Sequence, residues 1–296
     1  MKKKMFLTGS GGFIGKNIKE KLSDIFDITA PRSSELNLLD EDTVAIYLKH
    51  ERFDVVVHTA AIAVGRNHNQ SNNTNKVNNE LMFKNIAQCS SSFGRMFHMG
   101  SGAEFGKQDP IISVKEEDIG IREPSDDYGK MKLQIQQSLS KYNNVYNLRL
   151  FGIFGSYEDW EIRFISNAIC RALFDMDIII NINVYFDYLY VEDFLSILTK
   201  LISIESIPYK DINVCTGEKI DLVSIARIIK QVSDKNIKVK VKHEGFQNEY
   251  TGNNERLQEV LGPLSFTPLE KSIQKLFDWY HEHKQDIDPN RLSFDV

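Results

Sequence analysis

The sequence predicts an α/β protein: a doubly wound parallel sheet of the Rossmann type, followed by a smaller mixed C-terminal substrate domain. Short apolar runs rich in β-formers alternate with helical patterns through the first two thirds of the chain. Such alternation indicates βαβ units and a parallel sheet with helices on both faces. The first run enters a glycine-rich turn, and the strict alternation fades after about Tyr157.

Six runs are predicted strands: KMFLTG, FDITA, DVVVHTA, RMFHMG, YNLRLFGI and YLYV. Apolar positions at three- and four-residue spacing predict helices in IGKNIKEKLSDI, LMFKNIAQCSSSF, DLVSIARIIKQV and LEKSIQKLFDWYHEHK. The polar segment RNHNQSNNTNKVNN is predicted to be a loop that enters a helix near Val77. It is either a solvated loop or the rim of a site.

The composition is that of an ordinary globular protein, with 296 residues, 42% hydrophobic and 26% charged, and a formal net charge of -5. The acidic balance argues against a nucleic-acid partner, which requires a basic surface. Glycines interrupt the apolar stretch after MKKK, so we expect neither a secretory leader nor a membrane span, and a cytoplasmic protein. Cys89, Cys170 and Cys215 are isolated, which predicts reduced packing thiols and no metal site.

The turn after the first predicted strand carries Gly9, Gly12 and Gly15 in a TGxxGxxG pattern. In a strand–turn–helix unit, the first glycine permits the tight turn and the second lets the backbone approach a pyrophosphate. The third lets the helix pack closely on the strand, and the helix N-terminus faces the phosphates. The triplet alone is weak evidence, but the flanking strand and helix favour a dinucleotide site over a mere turn.

The residues after the second predicted strand favour NADP(H) as the cofactor, with NAD(H) as the alternative. An acidic residue there would bind the 2′-hydroxyl of NAD. Here the strand ends at Ala30 and is followed by a guanidinium and two hydroxyl groups, those of Arg32, Ser33 and Ser34. These groups suit a 2′-phosphate; the other reading is that Arg32 is an ordinary surface arginine.

These patterns also predict the domain organisation. Residues 1–157, with a returning segment at about 184–215, are expected to form the NADP(H)-binding Rossmann domain. Residues 158–183 and 216–296 are expected to form the smaller substrate-binding domain, because their helices are joined by irregular connections.

Tyr128 and Lys132 are four residues apart on a predicted helix and therefore lie on one face. An ammonium group beside a phenol favours the phenolate, which suits the phenol to acid/base catalysis near neutral pH. The same spacing recurs at Tyr280 and Lys284, where we expect solvated surface residues. The two pairs differ in context, because Tyr128 follows the predicted strand that delivers Ser101 at its carboxyl end, where ligands bind in open α/β sheets.

Taken together, the motifs resemble the extended short-chain dehydrogenase/reductases, and within them the branch that acts on nucleotide sugars. The resemblance covers nearly the whole chain, and its motifs occur in the family's order: TGSGGFIG, LNLLD, VVHTAA, Asn79 and Asn85, Ser101 five residues before Gly106, Tyr128 with Lys132, LRLFGIFG, FDYLYVEDF and NVCTGE. The stretch RSSELNLLD is most similar to that of GDP-fucose synthases and related 4-keto reductases.

The resemblance implies that Tyr128 is the general acid/base, that Ser101 is its partner on the sugar oxygen, and that Lys132 activates Tyr128 and holds the nicotinamide ribose. An asparagine, Asn78 or Asn79, would support the proton relay or the loop geometry. The implied cofactor-binding residues are Thr8, Gly9, Gly12, Phe13, Ile14, Gly15, Arg32, Ser33, Asp40, Ala60, Asn79 and Lys132, with Asp40 on the adenine. A nucleotide-sugar substrate and a homodimer are also implied.

Departures from the family pattern narrow the implied reaction. Sugar-nucleotide 4,6-dehydratases carry an Asp-Glu pair directly after the catalytic hydroxyl residue, where this chain has Gly102 and Ala103. Elimination needs an acid and a base, and Glu104 comes one position late, so that alternation along the segment aims it elsewhere. GDP-fucose synthases carry an epimerising cysteine at the position of Ala103, and Arg163 stands roughly where their histidine would be. What remains can reduce a ketone or oxidise an alcohol.

Two further departures concern the substrate. Gly152 stands where relatives often carry asparagine, and Phe186 where many have an arginine that reaches the diphosphate. We therefore expect nucleotide binding from polar residues of the helix EIRFISNAICRAL, namely Arg163, Asn167 and Arg171. The other reading is that they are ordinary polar residues of a helix surface.

The favoured hypothesis is an NADPH-dependent reductase of a nucleotide-linked 4-keto-6-deoxy sugar in polysaccharide biosynthesis. The alternative is a 4-epimerase that retains NAD⁺, oxidises C4 and returns hydride to the other face; the lack of an acid after the second strand disfavours it. A third hypothesis, a dinucleotide-sensing protein without catalysis, is disfavoured because Tyr128 and Lys132 are both present.

Overall fold

The computed structural model describes residues 1–63 and 72–293. Its strands are β1 (Lys4–Thr8), β2 (Asp27–Thr29), β3 (Val55–His58), β4 (Arg95–Ser101), β5 (Ile111–Val114), β6 (Val145–Leu150), β7 (Gly152–Phe154), β8 (Ile178–Asn183), β9 (Tyr185–Phe186), β10 (Tyr188–Tyr190), β11 (Asp211–Val214), β12 (Ile220–Asp221), β13 (Val239–Phe246) and β14 (Tyr250–Gly252). Its α-helices are α1 (Phe13–Leu22), α2 (Glu41–Glu51), α3 (Asn72–Ala87), α4 (Asp127–Ser138), α5 (Phe164–Leu173), α6 (Val191–Ser203), α7 (Leu222–Ser233), α8 (Glu255–Leu261) and α9 (Leu269–Glu282). Short 3-10 helices lie at Ser90–Ser92, Gly102–Phe105, Glu116–Asp118, Leu139–Lys141, Lys284–Asp286 and Pro289–Ser293.

The largest sheet is parallel throughout, with the strand order β11-β6-β4-β3-β1-β2. Its inner strands β3 (VVVH) and β6 (VYNLRL) are buried at every residue. Most of their side chains are apolar, and His58, Asn147 and Arg149 form hydrogen bonds with other side chains. Continuous apolar strands are typical of parallel sheets that are covered on both sides. The predicted α/β fold with a Rossmann-like parallel sheet is confirmed.

Helices cover both faces of this sheet. On one face α1 and α6 pack through a cluster that includes Ile18, Leu22, Phe194 and Leu198. On the other face α2, α3 and α4 pack through a cluster that includes Val44, Leu48, Phe83 and Met131. Each buried aliphatic or aromatic side chain of this size stabilises the fold by about 1.5–3 kcal/mol. Among the described helices, none is long and apolar enough to span a bilayer.

A third apolar cluster joins α5, α7 and α9 in the C-terminal part of the chain. Small sheets accompany it: β10 with β7, β13 with β8, and the mixed sheet β12-β9-β14-β5. The prediction that Tyr280 is a solvated surface residue is wrong. Its side chain is 1% exposed, because α9 turns Ile273, Leu276 and Tyr280 into this cluster. The proposed boundaries between a cofactor domain and a substrate domain stay predictions.

The sheet places three polar residues at one edge. Thr8, His58 and Ser101 are the last residues of β1, β3 and β4. The strand order reverses at β1, since β2 follows on one side and β3 lies on the other. Ligands of open α/β sheets bind at such a switch point, outside the carboxyl ends of the strands.

Candidate active site

The turn after β1 requires two of its glycines for reasons internal to the chain. Gly9 has a φ of +72°, and a Cβ there would lie 2.5 Å from the amide nitrogen of Ala60. A Cβ on Gly15 would collide with the carbonyl oxygen of Gly9. The first glycine therefore permits the turn, and the third permits close packing of α1 on it.

Gly11 and Gly12 have no such internal reason. A Cβ on Gly11 would meet no atom within 4 Å, and one on Gly12 would make only ordinary contact, at 3.5 Å from the carbonyl oxygen of Gly9. Gly12 is also the N-cap of α1, which starts at Phe13 without a side-chain cap and without an acidic residue in its first turn. Open space before uncapped helix amides fits a phosphate group, so the turn fits a pyrophosphate-bearing cofactor.

Thr8 and Ala60 build the wall beside this turn. The Thr8 hydroxyl lies 2.7 Å from Nδ1 of His58 and accepts a hydrogen bond from the Ala60 amide at 3.3 Å. Burial, with the nearby Lys132 ammonium as the lesser cause, lowers the pKa of His58 to about 3. His58 is therefore a neutral partner that holds Thr8 in place.

Asn79 clamps the backbone just after β3. Its Oδ1 accepts a hydrogen bond from the Ile62 amide at 2.8 Å, and its Nδ2 donates to the Ile62 carbonyl at 2.9 Å. Of the two roles expected for the asparagine, these contacts match loop geometry. The preceding part of the polar segment, residues 66–71, lies outside the described residues.

The residues proposed to bind the adenosine part of the cofactor lie between β2 and α2. Arg32 and Ser33 are exposed, and the Arg32 amide donates to Oε2 of Glu35 at 2.6 Å. Asp40 is exposed and caps α2, where its Oδ1 accepts from the Thr43 amide at 3.0 Å and this bond lowers the pKa of its carboxyl group. This stretch of chain thus presents the Arg32 guanidinium together with the carboxylates of Glu35 and Asp40.

Tyr128 has two ammonium groups near its ring. The Nζ atoms of Lys132 and of Lys107 are each 5.8 Å from the centre of its ring. Lys132 is 6% exposed, and its Nζ donates to the carbonyl oxygen of Met99 at 2.6 Å. The predicted helix with Tyr128 and Lys132 on one face is present as α4. Lys107 follows the short helix 102–105 and carries no periodic signal that would have identified it.

Ser101 is brought to Tyr128 by close packing of α4 on the 3-10 helix Gly102–Phe105. A Cβ on Gly129, the residue after Tyr128, would lie 2.7 Å from the carbonyl oxygen of Ala103. Ser101 is 9% exposed, and its Oγ accepts a hydrogen bond from the Ala103 amide at 3.2 Å. The three residues proposed for catalysis therefore lie in one region of the edge.

Glu104 lies beneath Ser101 and is fully buried. Its Oε1 accepts a hydrogen bond from the Ser101 amide at 2.9 Å, and its Oε2 lies 2.7 Å from Nε of Arg149. Nη2 of Arg149, which is also fully buried, contacts Asp211 at 2.8 Å. The Glu104 carboxylate therefore forms an internal ion pair with Arg149 and accepts a hydrogen bond from the Ser101 backbone. It is not exposed to solvent.

Tyr250 is a second phenol at this site. Its hydroxyl oxygen is 2.6 Å from the point where a Cβ on Gly102 would lie, and burial raises the pKa of this phenol. Its ring centre is 5.4 Å from that of Phe151 and 5.6 Å from that of Phe186. Sequence reasoning missed Tyr250, because it lies on the three-residue strand β14, which carries no motif or periodicity.

The three residues proposed for the substrate have different surroundings. Arg163 is exposed and is the N-cap residue of α5. Asn167 is buried and donates to the carbonyls of Trp160 and Glu161, both at 3.1 Å. Arg171 is buried against backbone carbonyls of residues 177 and 292. Only Arg163 of the three is therefore exposed, and we leave the other two out of the proposed site.

The cysteines have no partner in a disulfide, and Cys170 and Cys215 are buried. Burial raises the pKa of both thiols. Over residues 1–63 and 72–293, no group of three or more His, Cys, Asp or Glu side chains could hold a metal ion.

A glycine-rich turn after the first strand and a tyrosine–lysine pair on one helix face are typical of the NAD(P)-dependent oxidoreductases of the short-chain type. The chain belongs to the NAD dependent epimerase/dehydratase family, whose model matches residues 5–215. It is accordingly an NAD(P)-dependent enzyme of a family that modifies nucleotide sugars.

Known proteins similar to this chain agree with that family. GDP-L-colitose synthase of Yersinia pseudotuberculosis is 35% identical over 109 residues, a match that spans only 35% of each chain. GDP-6-deoxy-D-talose 4-dehydrogenase of Aggregatibacter actinomycetemcomitans is 23% identical over 293 residues, 93% of this chain and 97% of that protein. The structure of UDP-glucose 4-epimerase of Thermotoga maritima is 18% identical, with a TM-score of 0.80 over 95% of this chain and 99% of that one. This last likeness shows the fold alone.

Proposed function

We propose that the chain is an NADPH-dependent reductase of a nucleotide-linked 4-keto-6-deoxy sugar in polysaccharide biosynthesis. The observation that carries the proposal is the surroundings of Ser101. Positions 102 and 103 have no carboxylate, and Glu104 is fully buried in an ion pair with Arg149. The edge therefore offers a proton donor for a carbonyl oxygen but lacks the acid and base that elimination needs at these positions.

In the proposed reaction Ser101 holds the carbonyl oxygen of the sugar, and Tyr128 protonates that oxygen as negative charge develops on it. The dinucleotide, when bound, supplies the hydride. Lys132 and Lys107, whose Nζ atoms each lie 5.8 Å from the ring centre of Tyr128, place positive charge near the phenol, which stabilises the phenolate left after the proton has moved. Arg163, exposed at the start of α5, is our candidate for the diphosphate of the substrate.

The preference for NADPH rests on Arg32 and Ser33, which are exposed on the loop after β2. A guanidinium binds a phosphate through paired, charge-assisted hydrogen bonds. The residues proposed to hold the pyrophosphate are Gly11 and Gly12 with the first turn of α1, and those proposed for the nicotinamide end are Lys132 and Asn79. A cytoplasmic homodimer is also part of the proposal, on the sequence resemblance alone.

One observation favours the alternative, an NAD-dependent nucleotide-sugar 4-epimerase. Glu35 Oε2 lies 2.6 Å from the Arg32 amide, so a carboxylate is present on the loop where a 2′-phosphate would bind. A carboxylate there repels the phosphate and accepts a hydrogen bond from the ribose hydroxyl of NAD.

The test is to purify the protein, measure any bound NAD⁺, and assay a panel of 4-keto sugar nucleotides with NADPH and with NADH. We expect little bound NAD⁺ and stoichiometric NADPH oxidation with one member of the panel. Tyr128→Phe should lower kcat at least 100-fold, since general acid catalysis contributes about 10²–10⁴. Tyr142→Phe is the control, because the Tyr142 ring packs near Phe83 in the apolar cluster of α2, α3 and α4. Retained NAD⁺ without NADPH oxidation would establish the epimerase instead.

A further inference from the structure

A carboxylate is buried beneath the end of β4, against the backbone of Ser101. The Glu104 side chain is 0% exposed and accepts hydrogen bonds from three groups. Its Oε1 accepts from the Ser101 amide at 2.9 Å, and its Oε2 accepts from Nε of Arg149 at 2.7 Å. The amide group of Asn147 donates to both oxygens, at 3.1 and 3.2 Å. The carboxylate is therefore held in place by donors from β4 and β6.

The chain makes room for this carboxylate at Gly100. A Cβ there would lie 2.6 Å from Oε1 of Glu104 and 2.4 Å from Oδ1 of Asn147. Contacts below 3.0 Å force the neighbouring atoms to shift, so a methyl group at position 100 would displace these two side chains. The glycine just before Ser101 and the glutamate three residues after it are therefore matched to each other.

The same glutamate completes the turn that orients the Ser101 hydroxyl. Ser101 is the N-cap of the 3-10 helix Gly102–Phe105, and its Oγ accepts a hydrogen bond from the Ala103 amide at 3.2 Å. Glu104 closes the box by accepting from the Ser101 amide. Such a reciprocal pair fixes both the backbone and the side chain of the N-cap residue. The bond to Ala103 uses a lone pair of the hydroxyl and not its hydrogen, which is left to donate to a substrate oxygen.

Stability alone does not account for a carboxylate at position 104. A buried ion pair is often no more stabilising than apolar side chains of similar volume, because both charges lose their hydration. Apolar residues in place of Glu104 and Arg149 would also remove two charges from the interior, but they would leave the Ser101 amide without its acceptor. What the carboxylate adds is a fixed position for the backbone of Ser101.

We propose that Glu104 is a positioning residue: its carboxylate, anchored by Arg149, holds the Ser101 backbone and thereby keeps the Ser101 hydroxyl in place to donate to the carbonyl oxygen of the substrate. This inference rests on the proposed reductase function. It gives a role to a glutamate that takes no part in proton transfer, and it explains the glycine at position 100.

The main test removes both charges together. Glu104→Met combined with Arg149→Met replaces the ion pair by unbranched apolar side chains, while Asp211 keeps a cationic partner in Arg256, at 3.0 Å. The double variant should unfold at a urea concentration close to that of wild type. With NADPH and the sugar nucleotide that the panel identifies, its kcat should nonetheless be about tenfold lower and its KM changed less than about threefold, because the Ser101 amide has lost its acceptor.

Three further variants separate positioning from general damage. In the Ser101→Ala background, the same pair of substitutions should alter kcat less than about twofold, since the hydroxyl to be positioned is already absent. Glu104→Gln, which keeps an oxygen for the Ser101 amide, should restore kcat to within about threefold of wild type although it removes the charge. Asp211→Asn is the matched control: it removes the other carboxylate of Arg149, at 2.8 Å, and should keep wild-type kcat.

Four outcomes overturn the proposal. They are wild-type kcat in the folded double variant, equal losses with and without the Ser101 hydroxyl, a Glu104→Gln enzyme as slow as the double variant, and an equal loss in Asp211→Asn. Melting temperature and NADPH affinity are measured for every variant. If the double variant does not fold, Gly100→Ala replaces it, because a methyl group there displaces the carboxylate while both charges stay; wild-type kcat for Gly100→Ala then rejects the positioning role.

Tyr128→Phe in the same assay tests the reaction itself. If Tyr128→Phe keeps full activity, the reductase function is wrong. If Tyr128→Phe loses activity and the double variant is unaffected, only the positioning role of Glu104 is rejected.

Discussion

Glu104→Gln tests the ion pair beneath Ser101. Glutamine keeps the size of the side chain and an oxygen for the Ser101 amide, but it removes the negative charge 2.7 Å from Arg149. Both side chains are 0% exposed, so water cannot replace the lost interaction. Arg149 keeps Asp211, at 2.8 Å, and the amide oxygen of Asn213, at 2.9 Å.

The expected loss follows from these contacts. Removing one partner of a buried ion pair costs about 3–5 kcal/mol when the other charge is left alone. Because Arg149 retains a second carboxylate, we place the loss for Glu104→Gln at about 2–3 kcal/mol of the free energy of unfolding. The assay is urea unfolding at pH 7, followed by circular dichroism, with the slope of the transition checked for constancy.

An exposed ion pair of the same length provides the control. Lys115 and Glu255 are also 2.7 Å apart, but their side chains are 53% and 62% exposed. Exposed pairs contribute about 0–1 kcal/mol, so Glu255→Gln should shift the transition little. If Glu104→Gln cost no more than Glu255→Gln, burial would not set the strength of the Glu104–Arg149 pair, and the reasoning would be refuted.

Three more outcomes are expected. Burial raises the pKa of Glu158 from 4.5 to about 8, so the folded state binds a proton that the unfolded state lacks between these values. Stability should therefore fall as pH rises from about 5 to 8, by at most about 4–5 kcal/mol. Glu158→Gln, which can still accept from Ser166, should flatten that dependence in urea titrations; an unchanged slope would show that Glu158 is not its source. Gly12→Ala should leave the melting temperature nearly unchanged but weaken dinucleotide binding in fluorescence titrations, whereas Gly9→Ala should lower the melting temperature, because φ is +72° and Ala60 blocks its Cβ. Equal melting losses would contradict this assignment. Arg32→Ala should raise KM for NADPH about tenfold or more and leave KM for NADH unchanged, since a hydrogen bond between charged groups is worth about 1.5–3 kcal/mol; equal effects on both would favour NAD as the cofactor.

Features with a local periodic signal could be predicted from the sequence. The turn at Gly9 depends on glycines within seven residues of one another, and Tyr128 with Lys132 depends on the helical repeat. The strand that ends at Ser101, RMFHMGS, is rich in apolar residues because it is buried at every position after the first. The family resemblance, which the match of the family model confirms, draws on the same local motifs.

Features that depend on long-range pairing could not be predicted. Tyr250 lies beside Gly102 because β14 pairs with β5 and β9, strands separated from it in the sequence by long stretches of chain. The sequence alone allows Asn167 and Arg171 to be ordinary polar residues of a helix surface. In the structure every residue of α5 is buried, and these two side chains donate to nearby carbonyls. Tyr280 and Lys284 have a four-residue spacing that we interpret, from the sequence alone, as a solvated surface pair. Only the packing of α9 shows that the Tyr280 ring is buried.

The bond from Lys132 Nζ to the Met99 carbonyl links the reacting groups to the assembly of the sheet. Met99 pairs with Leu148 in the register of β4 and β6, and Ser101 pairs with Leu150. A slip of one residue in that register would turn Ser101 to the opposite face and move the carbonyl away from the lysine. Recovery of activity after refolding would therefore report when the central strands reach their native alignment, which helix content alone does not.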